Sequence, residues 1–192
     1  MRDDNKINIV LAGQGNSGKS TIFNYLTGLH QHIGNWAGKT IEKAEGTLFY
    51  RDHTVDVLDL PGIYSLTTVS EEELISRSYI IKQNPDCVIN VVDSTNLERS
   101  LIFTLQLLEL ERPVIIALNM TDLAKRKGIA VDVKKLQNIL KVPVIPTIAS
   151  RGSGLTKLVD KVIDLKTDKS VRTIHKYGKE IEQGIEELSE QL

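Results

Sequence analysis

The sequence predicts an α/β fold in which a mostly parallel, doubly wound sheet carries one antiparallel edge strand and is followed by a C-terminal helix. Two patterns lead to this prediction. Short apolar runs recur along the chain, each typical of a strand buried on both faces, at residues 7–12, 55–60, 87–92, 114–118 and 142–145. Between them lie segments whose apolar residues are three or four apart, as in amphipathic helices. Such alternation places parallel strands in one sheet with helices on both faces.

The helical patterns cover residues 20–29, 71–82, 97–111, 133–141 and 155–165. Two of these helices begin with the sequence of a capping box, Ser70 with Glu73 and Thr95 with Glu98, in which each end satisfies a backbone N–H of the first turn. Residues 47–50 and 54–60 flank a short polar turn and therefore predict a hairpin. That hairpin supplies the antiparallel strand at one edge of the sheet.

The composition changes after Leu165, where a polar stretch precedes a second apolar pattern. Its apolar residues fall at steps of three or four and predict one amphipathic helix: Ile174, Tyr177, Ile181, Ile185, Leu188 and Leu192. This helix either packs on the sheet domain, pairs with a partner, or belongs to a helical domain that is cut off here, and we favour the last. The predicted domains are residues 1–168 and, as the start of a truncated helical domain, residues 169–192.

The composition is that of a folded globular protein. Of 192 residues, 41% are hydrophobic and 26% are charged, which excludes collagen-like, low-complexity and disordered classes. The formal net charge of -1 gives no overall basic field, so no nucleic-acid partner is expected. The N-terminus matches no secretory signal and no apolar run is long enough to cross a bilayer, so we expect a soluble, cytoplasmic chain. The single cysteine, Cys87, lies in an apolar run and is expected to be a buried, inert thiol in a reducing compartment.

Residues 13–20 fit the phosphate-binding P-loop pattern G-x-x-x-x-G-K-[ST], and they lie between a predicted strand and a predicted helix, as the pattern requires. Backbone N–H groups of such a loop converge on phosphate oxygens at a helix N-terminus. The Lys19 ammonium is expected to reach the β- and γ-phosphates, and the Ser20 hydroxyl to bind Mg²⁺. The predicted nucleotide contacts of this loop are Gly13, Gln14, Gly15, Asn16, Ser17, Gly18, Lys19, Ser20 and Thr21.

A second loop adds groups that would act on the same phosphates. Asp59 begins a D-x-x-G tetrapeptide that ends at Gly62, directly after a predicted strand. There the carboxylate of Asp59 is expected to hold Mg²⁺ through water, and the N–H of Gly62 to contact the γ-phosphate.

Two further loops select the base. Asn119, Met120 and Asp122 lie in an N-x-x-D motif after a buried strand. A carboxylate there can accept hydrogen bonds from N1–H and the N2 amino group of guanine, whereas adenine offers no such donor pair. Residues Ile148, Ala149 and Ser150 follow another strand, and the N–H of Ala149 is expected to donate to guanine O6. The pattern therefore predicts a guanine-nucleotide site at the carboxyl ends of the strands.

Together the four loops look like those of a GTPase of the Ras-like P-loop class, and Thr40 lies where that class has its first-switch Mg²⁺ threonine. The resemblance narrows further. Residues 34–40, with the sequence Gly-Asn-Trp-Ala-Gly-Lys-Thr, and residues 42–46, 59–66, 90–98 and 105–109 resemble the N-terminal G domain of the ferrous iron transporter family FeoB. The resemblance covers about residues 6–165.

The resemblance implies a P-loop NTPase G domain that binds GTP or GDP with Mg²⁺ and is activated by K⁺. It adds Gly38, Lys39 and Thr40 to the nucleotide contacts, and it implies that Mg²⁺ is held by Ser20, Thr40 and Asp59. It further implies that K⁺ is held by Asn16 with the backbone carbonyls of Gly34 and Trp36. Asn16, Lys19, Thr40 and Gly62 are expected to support the transition state, and no general base is assigned.

The function expected from this resemblance is GTP binding and slow GTP hydrolysis by the cytosolic regulatory domain of a membrane Fe²⁺ transporter. The chain would act at the cytoplasmic face of the inner membrane, joined to its own transporter domain and able to oligomerise through it. Hydrolysis is expected to be slow because Ile63 stands where Ras-type enzymes place a water-orienting glutamine. Two alternatives remain open: a stand-alone regulatory GTPase of ribosome assembly or tRNA modification, and a nucleotide-sensing binding module with little turnover.

Three positions depart from the family pattern. Gln14 and Gly15 replace the usual Asn-Pro of the P-loop, and Met120 replaces the usual lysine of N-x-x-D. Because glycine makes the loop more flexible and methionine lacks the lysine charge, weak nucleotide affinity and fast release are expected.

Overall fold

One seven-stranded sheet forms the centre of the protein. The computed structural model describes residues 5–28, 30–66 and 70–167. The strands are β1 (Lys6–Gly13), β2 (Gln31–Asn35), β3 (Glu42–Tyr50), β4 (His53–Asp59), β5 (Cys87–Asp93), β6 (Val114–Asn119) and β7 (Val144–Pro146). Their order is β2-β3-β4-β1-β5-β6-β7. The five strands from β4 to β7 in this order are parallel, and β3 is antiparallel to both of its neighbours.

Helices cover both faces of the sheet. They are α1 (Lys19–Thr27), α2 (Glu71–Gln83), α3 (Leu97–Leu108), α4 (Thr121–Arg126), α5 (Val133–Leu140) and α6 (Leu155–Thr167), with a 3₁₀ turn at Ala149–Arg151. On one face, the apolar sides of α1 and α6 pack on the sheet, and on the other face α2, α3 and α5 do so. Within the described ranges, no helix combines the length and the apolar character that a membrane crossing requires.

The predicted fold class is confirmed, with two additions. Every predicted strand and every predicted helix up to residue 165 is present, and only β3 runs against the other strands. However, β3 does not lie at the edge, because the unpredicted strand β2 pairs with its outer side. The short helix α4 was also not predicted. The amphipathic segment 174–192 and the domain boundary at residue 168 lie outside the described residues and stay predictions.

One of the two predicted capping boxes is confirmed. The N–H of Glu73 donates to the hydroxyl of Ser70 at 3.2 Å, and the N–H of Ser70 donates to the Glu73 carboxylate at 3.4 Å. The prediction for Thr95 was wrong, because α3 is capped one residue later, at Asn96, without a side-chain bond. The N–H of Thr95 instead donates to the Asp93 carboxylate at 2.8 Å, so this residue belongs to the turn that leaves β5.

The reactivity of the Cys87 thiol tests whether the central sheet stays closed around β5. It is 1% exposed, and burial raises the pKa of its thiol far above the ordinary range. Since only the thiolate reacts with disulfide reagents, we expect no reaction of the native chain with Ellman's reagent at mildly alkaline pH. One equivalent should react after unfolding in guanidinium chloride, which serves as the control. Rapid reaction of the native chain would show that the sheet opens near β5.

Candidate functional site

The sheet register brings the predicted site loops together at the carboxyl ends of the parallel strands. Leu11 of β1 lies opposite Asp59 of β4, and Gly13 lies opposite Val91 of β5. Asp93, at the end of β5, lies opposite Asn119, at the end of β6. Since parallel strands end at the same edge, the loops that follow β1, β4, β6 and β7 all emerge there. The region at the carboxyl ends of the parallel strands is therefore the candidate site.

The P-loop is held in a narrow, turned conformation. Asn16 and Gly18 both have left-handed backbone angles, with φ of 64° and 92°. A Cβ on Gly18 would lie 2.2 Å from Nδ2 of Asn119, so only glycine fits at this position. The Ser17 hydroxyl donates to the carbonyl of Gln14 at 2.9 Å, which closes the turn from inside. The loop therefore has the compact form expected of a phosphate-binding turn.

The charged groups expected at the phosphates and the metal are adjacent. The ammonium of Lys19 donates to one carboxylate oxygen of Asp59, and the hydroxyl of Ser20 donates to the other at 3.1 Å. Lys19 is 8% exposed and Asp59 is 9% exposed. Burial raises the pKa of the Asp59 carboxyl above its usual range, and the positive charge of Lys19 opposes this shift. The predicted phosphate ligand and two of the predicted metal ligands thus meet in one cluster, in which Lys19 and Asp59 are buried and Ser20 is exposed.

Asn119 connects three loops of the site. Its Nδ2 donates to the carbonyl of Ser17 in the P-loop at 2.9 Å. Its Oδ1 accepts from the hydroxyl of Thr147 at 3.2 Å and from the N–H of Ala149 at 3.0 Å. The N–H of Ala149, which we expected to donate to guanine, is thus directed to Asn119 in this structure, and its role toward O6 stays a prediction.

Two residues of this connection were missing from the sequence prediction. Thr147 is 1% exposed and donates to Asn119. The hydroxyl of Ser94, which is also 1% exposed, donates to the Asn119 carbonyl at 2.6 Å. Each is a small hydroxyl residue just after a predicted strand, and that position is the only feature of the sequence that indicates a role.

The residues predicted to contact the base lie at the start of α4 and around the 3₁₀ turn. Met120 has a left-handed backbone angle, with φ of 61°, and directly precedes the helix. The side chain of Asp122 is partly exposed and forms an ion pair, at 3.4 Å, with the mostly exposed Arg126. Ser150 lies exposed in the 3₁₀ turn, and Ile148 just before it forms an isolated bridge with Ser153. The carboxylate of Asp122 is therefore available for a base.

The D-x-x-G segment lies against the P-loop. A Cβ on Gly62 would be 3.3 Å from both Cα and N of Gly15, so the two backbones are in contact. The N–H of Ile63 donates to the carbonyl of Gly13 at 3.2 Å. The side chain of Ile63 is 2% exposed and lies in the core beside α2 and α3. Gly62 therefore lies against the P-loop, Ile63 points away from it into the core, and the contact of Gly62 with the γ-phosphate stays a prediction.

The first switch forms a hairpin of its own. The carbonyl of Trp36 accepts from the N–H of Lys39 at 2.9 Å, and the Trp36 ring packs on Tyr79 of α2 with 5.5 Å between centroids. The ammonium of Lys39 pairs with the carboxylate of Glu71 at 2.6 Å. Gly34 pairs with Lys43 of β3 in the ladder.

This hairpin is separate from the phosphate cluster. Gly38 and Thr40 lie exposed at its tip. The backbone hydrogen bonds of the tip lie within the tip itself, and its side chains contact Lys43 of β3 and residues Glu71 and Tyr79 of α2. Within the described ranges, no hydrogen bond joins Thr40 to Ser20 or Asp59. None joins Gly34 or Trp36 to Asn16. The structure thus assembles four of the predicted loops and leaves the first switch apart from them.

Taken together, the parallel sheet, the P-loop and the D-x-x-G and N-x-x-D loops at its carboxyl edge define a G domain of the P-loop GTPase class. The family model "Ferrous iron transport protein B" matches residues 7–162. The chain is 47% identical over 174 residues to the Fe(2+) transporter FeoB of Escherichia coli K12, a match that covers 88% of this chain and 22% of that protein. The chain belongs to the FeoB family, and it spans only about a fifth of the length of the relatives it matches.

Solved structures of the same family agree with this fold. The G domain of the T. maritima FeoB iron transporter is 42% identical with a TM-score of 0.79, and the match covers 83% of this chain and 98% of that chain. A mutant of S. thermophilus NFeoB bound to GDP is 39% identical with a TM-score of 0.88, covering 96% of this chain and 71% of that chain.

Replacement of Gly18 by alanine tests the contact between the P-loop and Asn119. The new Cβ would displace the Asn119 amide from Ser17, so we expect Gly18→Ala to weaken GDP binding more than about tenfold, the effect of losing a buried hydrogen bond. Gly128→Ala is the matched control, because Gly128 has a similar φ of 72° and no atom within 4 Å of an added Cβ. Both variants carry about 1 kcal/mol of backbone strain. Equal GDP affinity of the two variants, measured by calorimetry, would contradict the assigned contact.

Proposed function

We propose that this chain binds GTP with Mg²⁺ and hydrolyses it slowly. The observation that carries the proposal is the buried hydrogen-bond cluster of Asn119, which joins the P-loop to the loops that would face the base. Asp122 lies partly exposed on the first turn of α4, where its carboxylate can accept from guanine N1–H and N2. Asn119 thus holds the phosphate loop and the loop of Asp122 at a fixed distance from each other. This arrangement supports binding of a guanine nucleotide rather than an adenine nucleotide.

The residues around Asp59 fit a magnesium ion. A carboxylate and a hydroxyl that already touch each other are the oxygen donors that Mg²⁺ takes in nucleotide sites. The ion would screen the negative charge of the phosphates during hydrolysis. Ser20 and Asp59 would hold it, and Thr40 would join them only after the first-switch hairpin has moved. Lys19 would then leave Asp59 for the phosphates.

The residues assigned to K⁺ fit it only in part. Asn16 lies exposed on the P-loop in a left-handed conformation, where its amide oxygen can face a cation. The carbonyl of Trp36, however, already accepts from Lys39, and Gly34 lies in the β2–β3 ladder. A K⁺ site therefore requires the hairpin to open toward Asn16, and activation by K⁺ remains a proposal that rests on Asn16 and on the family resemblance.

The wider context proposed for the chain is that of its relatives. As the G domain of a FeoB protein, it would regulate an Fe²⁺ transporter from the cytoplasmic face of the inner membrane. The first switch and the segment after Gly62 would become ordered on the γ-phosphate of GTP and relax on GDP. Oligomerisation would come through the transporter. The alternative of a nucleotide-sensing module with little turnover is favoured by the burial of Ile63, which removes the usual water-orienting side chain.

Base recognition is tested by Asp122→Asn. Replacing the carboxylate by an amide turns one of its two acceptor oxygens into an N–H donor. This donor opposes the N2 amino group of guanine but suits the O2 of xanthine, so preference should shift from GTP toward XTP. We expect GTP affinity to fall by about tenfold or more, since a hydrogen bond to a charged group is lost. Arg126→Ala is the control, because it breaks only the exposed pair with Asp122. Unchanged guanine selectivity of Asp122→Asn would remove this assignment.

Turnover and the role of Asn16 are tested by measuring phosphate release from GTP in K⁺ and in Na⁺ buffer, with ATP as the control nucleotide. We expect GTP-selective multiple turnover that K⁺ raises and that Asn16→Ala lowers to the Na⁺ level. A rate that does not depend on the cation would remove the K⁺ site and leave GTP hydrolysis in place. Binding of GTP without multiple turnover would favour the sensing module.

A further inference from the structure

Tyr64 places its hydroxyl group against the backbone of the P-loop. A Cβ on Gly15 would lie 3.3 Å from the Tyr64 hydroxyl oxygen, so this oxygen approaches the loop where no side chain intervenes. Gly62 contacts the same residue, Gly15, from the D-x-x-G segment. The hydroxyl of Tyr64 and the backbone of Gly62 therefore lie beside the same part of the loop. Tyr64 is also 48% exposed, so core packing does not account for its position.

Helix α3 holds Tyr64 and the P-loop in this arrangement. The guanidinium of Arg99 lies over the Tyr64 ring, 4.5 Å from its centroid, in a cation–π contact. The backbone carbonyl of Arg99 accepts from Nε2 of Gln14 at 2.9 Å. Gln14 is only 8% exposed, so this hydrogen bond is shielded from water. Arg99 of α3 thus contacts both the Tyr64 ring and Gln14 of the P-loop.

A second residue of α3 holds the segment after Tyr64. Nε2 of Gln106 donates to the hydroxyl of Ser65 at 3.3 Å, and Oε1 of Gln106 accepts from the N–H of Leu66 at 2.8 Å. Arg99 and Gln106 are seven residues apart and therefore lie on the same face of the helix. The Tyr64 ring and the two residues that follow it are thus held to one helix face, which limits where the hydroxyl can go.

Ile63, which precedes Tyr64, cannot form the hydrogen bonds that the Tyr64 hydroxyl can form. Ile63 is buried and apolar, so the D-x-x-G segment has no polar side chain at the position that follows Gly62. A tyrosine hydroxyl donates one hydrogen bond and accepts others, which allows it to bind a phosphate oxygen and a water molecule together. Tyr64, one residue further on, is a polar side chain that follows Gly62 and that the structure places on the P-loop.

We propose that Tyr64 is a catalytic residue that donates a hydrogen bond to the γ-phosphate of GTP and accepts one from the attacking water. Arg99 is its positioning residue. In this step the water oxygen bonds to the γ-phosphorus, and the bond from that phosphorus to the β–γ bridging oxygen breaks. Its electron pair stays on GDP, the water proton passes to a phosphate oxygen, and Tyr64 undergoes no net change. The inference rests on the proposed GTP hydrolysis.

The decisive variant is Tyr64→Phe, which keeps the ring and its contact with Arg99 and removes only the hydroxyl. We expect kcat for GTP to fall by about tenfold or more, as when one donor to a transition-state oxygen is lost. GDP affinity and the thermal midpoint should stay unchanged. Tyr50→Phe is the matched control, since it removes a tyrosine hydroxyl that bonds Asp160 at the far end of β3 and should leave kcat unchanged.

Variants of Arg99 test the positioning role. Arg99→Gln removes the cation from the Tyr64 ring while the backbone carbonyl that binds Gln14 remains. We expect a smaller loss of kcat than in Tyr64→Phe, with KM little changed, and partial recovery in Arg99→Lys, which restores a cation. Arg99→Gln added to Tyr64→Phe should cause no further loss. If the loss of kcat in the double variant equals the product of the losses in the two single variants, Arg99 has a role separate from that of Tyr64.

A binding measurement separates failure of this inference from failure of the proposed function. GDP with aluminium fluoride and Mg²⁺ mimics the transferred phosphate, so Tyr64→Phe should bind this complex less tightly than the wild type does, with equal affinity for GDP. If wild-type protein binds GDP but does not turn over GTP, hydrolysis and with it a catalytic role of Tyr64 are contradicted, and the affinity for the mimic shows whether the hydroxyl contacts the γ-phosphate position. Equal kcat and equal affinity for the mimic in both proteins would overturn the inference.

Discussion

The side chain of Asn119 is the contact on which the arrangement of the site depends. Its amide group is 2% exposed and makes three hydrogen bonds to groups in two other loops, those of Ser17, Thr147 and Ala149. Because water does not reach this amide, loss of one partner would leave a buried polar group unsatisfied, at a cost of about 1–3 kcal/mol. The phosphate loop and the base-recognition loops therefore behave as one unit, and a nucleotide would meet both halves at a fixed spacing.

The first switch is held by weaker forces. The pair of Lys39 and Glu71 is exposed on both sides, and such pairs contribute only about 0–1 kcal/mol because water and salt screen them. The Trp36 ring packs on half-buried Tyr79 and lies 5.3 Å from the ammonium of Lys43, and the tip residues Gly38 and Thr40 are exposed. A rigid recognition unit thus lies beside a hairpin that can move at low cost. This difference is what a nucleotide-dependent switch requires.

Sequence reasoning succeeded where local pattern decides the structure and failed where partners distant in the chain decide it. The P-loop of residues 13–20 could be predicted because its glycine spacing, preceding strand and following helix are all local. Strand β2 was not predicted because Gln31–Asn35 is short, polar and mostly exposed, and only pairing with β3 makes it a strand. The contacts of Ala149 with Asn119 and of Tyr64 with the P-loop join residues 30 or more positions apart, so no sequence window contains them.

The buried ion pair of Lys19 and Asp59 sets the charge balance that a bound nucleotide and a bound cation would have to restore. Each charge compensates the other in a place where an unpaired charge would carry a large desolvation cost, and burial already raises the pKa of Asp59 despite the neighbouring ammonium. A phosphate that drew Lys19 away would therefore leave an anionic carboxylate facing an anionic ligand. A divalent cation near Ser20 and Asp59 removes that penalty, because it compensates the carboxylate and the phosphate at once. On the proposed function, the pair would couple nucleotide binding to metal binding, and each ligand would raise the affinity for the other.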